Sequence, residues 1–196
     1  AVLSCNPAGD NTLTLLSEAA LDGWVTWATP GSYSGSASGA SVSIGDDNTD
    51  TDYTRCVVSF DLSSLPTGSQ VQSAVLRVYQ NDQSSGDSYA ASPTGLAEVL
   101  VDNISYSSFT TDLFYGYTTG TDIGIGPLAT SFLANTWHQL DVTTSAEDEV
   151  NLYHNGRLQF RVYHKYDNNN NGIADFDGWV MGDSPTNQPE LVITYK

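Results

Sequence analysis

The chain has 196 residues, a length suited to one all-β domain with a core of its own. Only 15% of its residues are charged, yet the formal net charge is −17, because six Lys and Arg face 23 acids. That balance argues against a nucleic-acid partner, since the cations that displace counterions from phosphates are missing. It leaves metal ions, neutral or hydrogen-bonding polymers, and other protein surfaces.

In chain order, AVLSCNPAGD (1–10) reads as a short extension. It has no initiator Met, no tag and no apolar run of membrane length, as expected of a mature secreted protein. Cys5 and Cys56 predict one disulfide in an oxidising compartment; two buried free thiols are the other reading. Closing a loop of roughly fifty residues would contribute about 4 kcal/mol in chain-entropy terms. NTLTLL (11–16) and DGWVTWA (22–28) alternate as strands do, and the Gly- and Ser-rich TPGSYSGSASGAS (29–41) reads as an exposed loop. SVSIG (41–45) precedes RCVVSFDL (55–62), in which Cys56, Val58 and Phe60 share a face. VQSAVLRVYQ (71–80) places Ala74, Leu76 and Val78 together.

LAEVLVDN (96–103) leads into a long aromatic loop, YSSFTTDLFYGYTTGTDIGIGP (106–127), of a length that marks function in a compact domain. TWHQLDVT (136–143), LQFRVYHKY (158–166), DGWVMG and ELVITYK (190–196) complete the strands, with one or two helical turns expected in TTSAEDEVNLYHNG. About ten strands without βαβ alternation predict an all-β fold: a single antiparallel, jelly-roll-like β-sandwich spanning residues 1–196.

Three acidic stretches are candidate metal sites. In DNNNNGIADFDGW (167–179), Asp167, Asn169, Asn171, Gly172 and Asp175 follow the spacing of a D-x-[DN]-x-[DN]-G calcium loop. Ile173 stands where such loops offer a backbone carbonyl, and Asp177 is the nearest acid to a twelfth position occupied by Gly178. The other reading is a solvated hairpin loop, in which Asn tolerates left-handed backbone. A second cluster, GDDNTDTDY, holds Asp46, Asp47, Asp50 and Asp52; Glu18 and Asp22 flank a bend and form a third. For these, too, a solvent-facing loop is the plain alternative.

Catalytic patterns are missing. His138, His154 and His164 form no H-x-x-x-H or H-E-x-x-H arrangement, and there is no G-x-S-x-G elbow or phosphate-cradling glycine loop. No enzyme is expected. Trp24, Trp27, Trp137 and Trp179 read as packing residues, whereas Tyr33, Tyr106, Tyr115 and Tyr117 are expected in loops, free to stack on sugar rings or a neighbouring subunit. Asn103 opens an N-x-S glycosylation sequon.

The run TRCVVSFDLSSLPTGSQVQSAVLRVYQ (54–80) resembles the central motif of the DNRLRE family of disaggregatase-related β-sandwich modules. EAALDGWV (18–25), WHQLDVTT (137–144), LQFRVYHKYDNNNNGIADFDGW and QPELVITYK (188–196) are similar to other parts of that pattern. The aromatic loop at 106–127 and the Cys5 extension depart from it. The resemblance implies an exported jelly roll that binds or builds rather than catalyses, with some related modules binding alginate or other polysaccharides. Two functions are therefore expected. One is an extracellular, calcium-stabilised structural subunit that assembles with copies of itself into a surface layer or fibre. The other is a carbohydrate-binding module.

Overall fold

The computed structural model describes residues 9–28, 31–47, 51–83, 87–92, 94–115, 123–153 and 156–196. Among them are twelve strands: β1 (Asn11–Leu16), β2 (Gly23–Ala28), β3 (Ser32–Ser36), β4 (Ser41–Asp46), β5 (Asp52–Asp61), β6 (Val71–Gln83), β7 (Val99–Ile104), β8 (Ile123–Ala129), β9 (Thr136–Asp141), β10 (Arg157–His164), β11 (Phe176–Val180) and β12 (Glu190–Tyr195). Among the described residues the one helical segment of more than a single turn is α1 (Thr143–Asp148), which continues into a π-helical stretch at Glu149–Tyr153. It falls where helical turns were expected.

All the strands join one antiparallel sheet in the order β1-β12-β6-β11-β4-β5-β10-β7-β8, with β9 added to β6 and the β2–β3 pair added to β5. The sheet curls over so that its two halves face each other. The corner is the β4–β5 junction, held by two residue pairs, Gly45 with Thr54 and Asp46 with Tyr53.

Alternation along the strands explains the core. Cys56, Val58 and Phe60 of β5 point inward with Ala74, Leu76 and Val78 of β6, and with Leu158, Phe160 and Val162 of β10. Trp179, Leu191 and Ile193 close the same cluster, and Phe60 meets Phe160 edge to face with centroids 6.3 Å apart. Each large side chain buried in this way contributes about 1.5–3 kcal/mol.

The intervening residues serve a second, smaller core. Val25 and Val57 face away from the main one, and Ile104, Tyr106, Leu113 and Phe114 cover them. Residues 105–115, with a 3₁₀ turn at Thr111–Phe114, therefore fold back over β2. The first part of the predicted aromatic loop is a lid on the sheet's outer face.

Two strands lie where loops were expected. β3 runs through the Gly/Ser segment and pairs with β2 from Trp24–Ser36 to Ala28–Ser32. β8 occupies the end of the aromatic loop and pairs with β7 through two register shifts, around Gly124, Gly126 and Pro127. Neither carries the alternating apolar signal; pairing to a well-patterned neighbour makes each a strand. Among the described residues, no helix is long and apolar enough to cross a membrane.

Candidate functional site

The two larger acidic motifs meet at the sheet corner. β4 pairs with β11, which brings Asp46 beside Asp175. Asp46 N donates to Asp175 O and Asp175 N donates to Asp46 Oδ1, both at 3.0 Å. Asp47 Oδ1 accepts from Thr51 N at 3.0 Å and so closes the β4–β5 turn; Asp50 lies outside the described residues. Asp46, Asp47 and Asp52 line an open cleft of about 690 Å³, with Thr26, Ser43 and Thr54 on its walls and Gly172 and Ile173 at its rim.

The 167–177 loop does not present its six predicted ligands to one point. Asp167 turns to Arg55, Oδ1 to Nη2 at 2.7 Å. Asn169 and Asn171 donate their side-chain amides to Asp175 Oδ2 at 2.7 and 3.0 Å, with their carbonyl oxygens taken by the amides of Asn171 and Ile173. Ile173 is exposed at the cleft. Asp177 enters the core, where Ser88 Oγ donates to it at 2.9 Å and His164 Nε2 lies 2.8 Å away. Asn170 and Gly172 take positive φ, as a tight polar turn requires. The loop is thus organised around Asp175. That carboxylate has no exposed surface, and its Oδ1 accepts no hydrogen bond. The Asn amides face that carboxylate with donors, so the loop does not converge its oxygens on one point as the calcium-loop spacing predicts.

The third acidic pair separates. Glu18 is clamped by Arg157, Oε2 to Nε at 2.8 Å and Oε1 to Nη2 at 3.0 Å, and also accepts from Ser59 Oγ at 2.7 Å. Asp22 Oδ1 accepts from Ser59 N at 2.8 Å, while its Oδ2 lies buried without a hydrogen bond. Burial pushes this carboxyl up to about 7, opposed by Ser17 and the Ser59 amide and reinforced by Glu18 and Asp183. Among the described residues no three His, Cys, Asp or Glu converge as a ready-made metal centre.

The aromatic residues divide by burial. Tyr33 lies in β3 rather than a loop; it is 38% exposed, and its hydroxyl donates to that of Tyr115, itself 46% exposed, at 2.5 Å. Trp27 stacks on Tyr53 nearby, with centroids 4.9 Å apart, and Arg55 lies 4.2 Å over the Phe114 ring. Tyr106 is buried in the lid, donating its hydroxyl to Leu21 O, so it is no surface contact. Tyr117 lies outside the described residues.

Two further expectations change. Asn103 sits half-buried within β7, between β10 and β8, instead of on the surface loop that glycosylation needs. Cys56 is a free thiol with no exposed surface, and burial pushes its pKa far up; Cys5 lies outside the described residues. Motif reading missed Arg55 among the aromatics, the His164–Asp177 pair, and Ser17 and Asp183 beside Asp22. Apart from Ser17, which lies in the same bend as Asp22, each depends on contacts between segments distant in sequence, which local spacing does not signal.

No protein-family model matches the chain, and no curated protein matches it. The DNRLRE resemblance therefore rests on the quoted motifs.

Proposed function

We propose that the protein is a non-enzymatic extracellular structural subunit that associates with copies of itself, into a layer or fibre, and is stabilised by calcium. The observation that carries this reading is the open edge at β1. β1 pairs with β12 over six residues without a register shift, and among the described residues no strand lies on its other side. Its sequence, NTLTLL, contains no charge and no Pro, and Leu16 is 54% exposed. Sheet edges that must stay solitary are usually guarded by Lys, Pro or a bulge. β8 has such guards in Pro127 and its two register shifts. An unguarded edge suits strand addition from a second copy. Calcium offsets the repulsion that such packing brings to a chain of charge −17, acting at the cleft acids Asp46, Asp47 and Asp52.

The test is sedimentation and negative-stain microscopy with calcium and with chelator. Wild type is expected to form ordered multimers in calcium, and Thr12→Lys/Thr14→Lys to remain monomeric. A wild type that is monomeric under both conditions overturns the assembly reading. A melting temperature unmoved by chelator overturns calcium stabilisation.

A second reading, a carbohydrate-binding module, is favoured by the exposed Tyr33–Tyr115 pair beside the Trp27–Tyr53 stack. Sugar rings stack on such surfaces. Retention in alginate or neutral-polysaccharide affinity gels, lost in Tyr33→Ala/Tyr115→Ala, would promote it over assembly.

A further inference from the structure

A fibre needs two different surfaces on each copy, whereas a single self-complementary patch closes as a dimer. The unguarded edge of β1 supplies one such surface, and β3 supplies a second. β3 pairs with β2 over five residues without a register shift, and among the described residues no strand lies on its other side. It contains no charge and no Pro, and four of its five residues are exposed. Of the other open edges, β8 is guarded by Pro127 and its register shifts, and β9 ends in the charged Asp141.

Charge sets these two edges apart on a chain at −17. Asp10 before β1, Glu18 after it and Glu190 at its last rung are each paired with a base, respectively Lys196, Arg157 and Arg77. Half of the six basic residues are thus gathered around this strand. Residues 23–45, which hold β2, β3 and most of β4, contain no charged residue. Two copies that meet β1 to β3 bring a balanced flank to a neutral one, which avoids the repulsion that acidic surfaces would meet.

The side chains agree with this pairing. Tyr33 projects on the lid side of the sheet and meets Phe114 with ring centroids 5.9 Å apart. Leu16 projects on the exposed side of β1, while its neighbour Leu15 packs against the main core. Antiparallel pairing that keeps the five β3 residues within the six of β1, outer face to outer face, has one register. It sets Tyr33 opposite Thr14, an aromatic–β-branched pair, with Leu16 on the diagonal. Two large side chains that are 38% and 54% exposed in a single copy then cover each other.

We infer that β3 of one copy adds antiparallel to β1 of the next, joining copies head to tail through one repeated interface. β1 against β1 would close a dimer and leave β3 bare in every copy. β3 against β3 would set serine and glycine against each other and leave Leu16 bare. This pairing rests on the assembly reading and names the surface that meets β1.

The experiment compares full chains in calcium by sedimentation, with circular dichroism to check the fold. Thr12→Lys/Thr14→Lys blocks β1, and Ser32→Lys/Ser34→Lys blocks β3 at exposed positions. Ser32→Glu/Ser34→Glu blocks β3 with the opposite charge and stands in if the lysines disturb folding. Wild type is expected as multimers, and each blocked variant alone as monomer. An equimolar mixture of β1-blocked and β3-blocked chains should form particles of twice the monomer mass and nothing larger. Each such pair retains one open β1 and one open β3. A β3-blocked chain that assembles as wild type does, or that dimerises alone, overturns the inference and leaves the assembly reading standing. A mixture that stays monomeric overturns it too. A monomeric wild type overturns both.

Discussion

Asp177 and His164 are buried together between β10 and β11, with Ser88 Oγ on one side and Ala97 O accepting at the other imidazole nitrogen, 3.1 Å away. Removing one member leaves the other's polar atoms buried without a partner, which costs about 3–5 kcal/mol for such pairs. His164→Ala is expected to lose about that much in urea melts, and Asp177→Asn less, because an amide still accepts from Ser88. His138 is a separate case. Its Nε2 lies 3.0 Å from Gln80 Oε1, and burial holds its pKa below the ordinary 6.5 although Asp177 pulls it upward. As pH falls below about 6.5 the unfolded chain takes the proton first, so stability is lost through that window. Melts between pH 8 and pH 5 should show a steeper loss for wild type than for His138→Gln. Equal slopes would mean His138 does not contribute.

At the scale of elements, the corner decides most. Gly45 has φ +126°, and a side chain there would collide with the carbonyl oxygen of Asp175. Gly45→Ala is expected to cost at least about 2 kcal/mol and to disturb both halves of the sheet, readable as lost amide protection in β4 and β11. The strongly patterned elements were legible from sequence: β1 falls on NTLTLL, and the inward faces of β5 and β6 carry the residues that alternation assigns. β3 and β8 were not, because their residues are small, polar or kinked and acquire strand form from a neighbour's ladder. The site was legible only as a list of acids. Spacing marked Asp167 to Asp177 as ligands of one ion, while the fold sends Asp167 to Arg55 and Asp177 to His164. Local spacing does not encode which strand crosses behind a loop, and that crossing chooses the partners. The converse holds for Asp22, whose neighbour Asp183 comes from the far end of the chain.

Across the whole molecule the basic residues are fully committed. Arg55, Arg77, Arg157, Arg161, Lys165 and Lys196 pair with Asp167, Glu190, Glu18, Asp102, Glu98 and Asp10. No basic side chain is left over to answer the excess of acids, so relief must come from solution. Stripped protein should melt higher in about 1 M NaCl, where the screening length falls to about 3 Å. Millimolar calcium should exceed what its ionic strength alone supplies. A melting temperature indifferent to both salts would show that the charge is already well spaced.

The β1–β12 ladder has a mechanical side. Asn11 pairs with Tyr195 and Leu16 with Glu190, so the two strands start and finish at the same end of their six rungs. Tension applied at Asn11 and Tyr195 would peel those rungs apart singly. Tension passed along β1 from a strand laid against its outer edge would load them all at once, in shear. A subunit joined to its neighbours through that edge would resist pulling far better than one strung from residues 11 and 195.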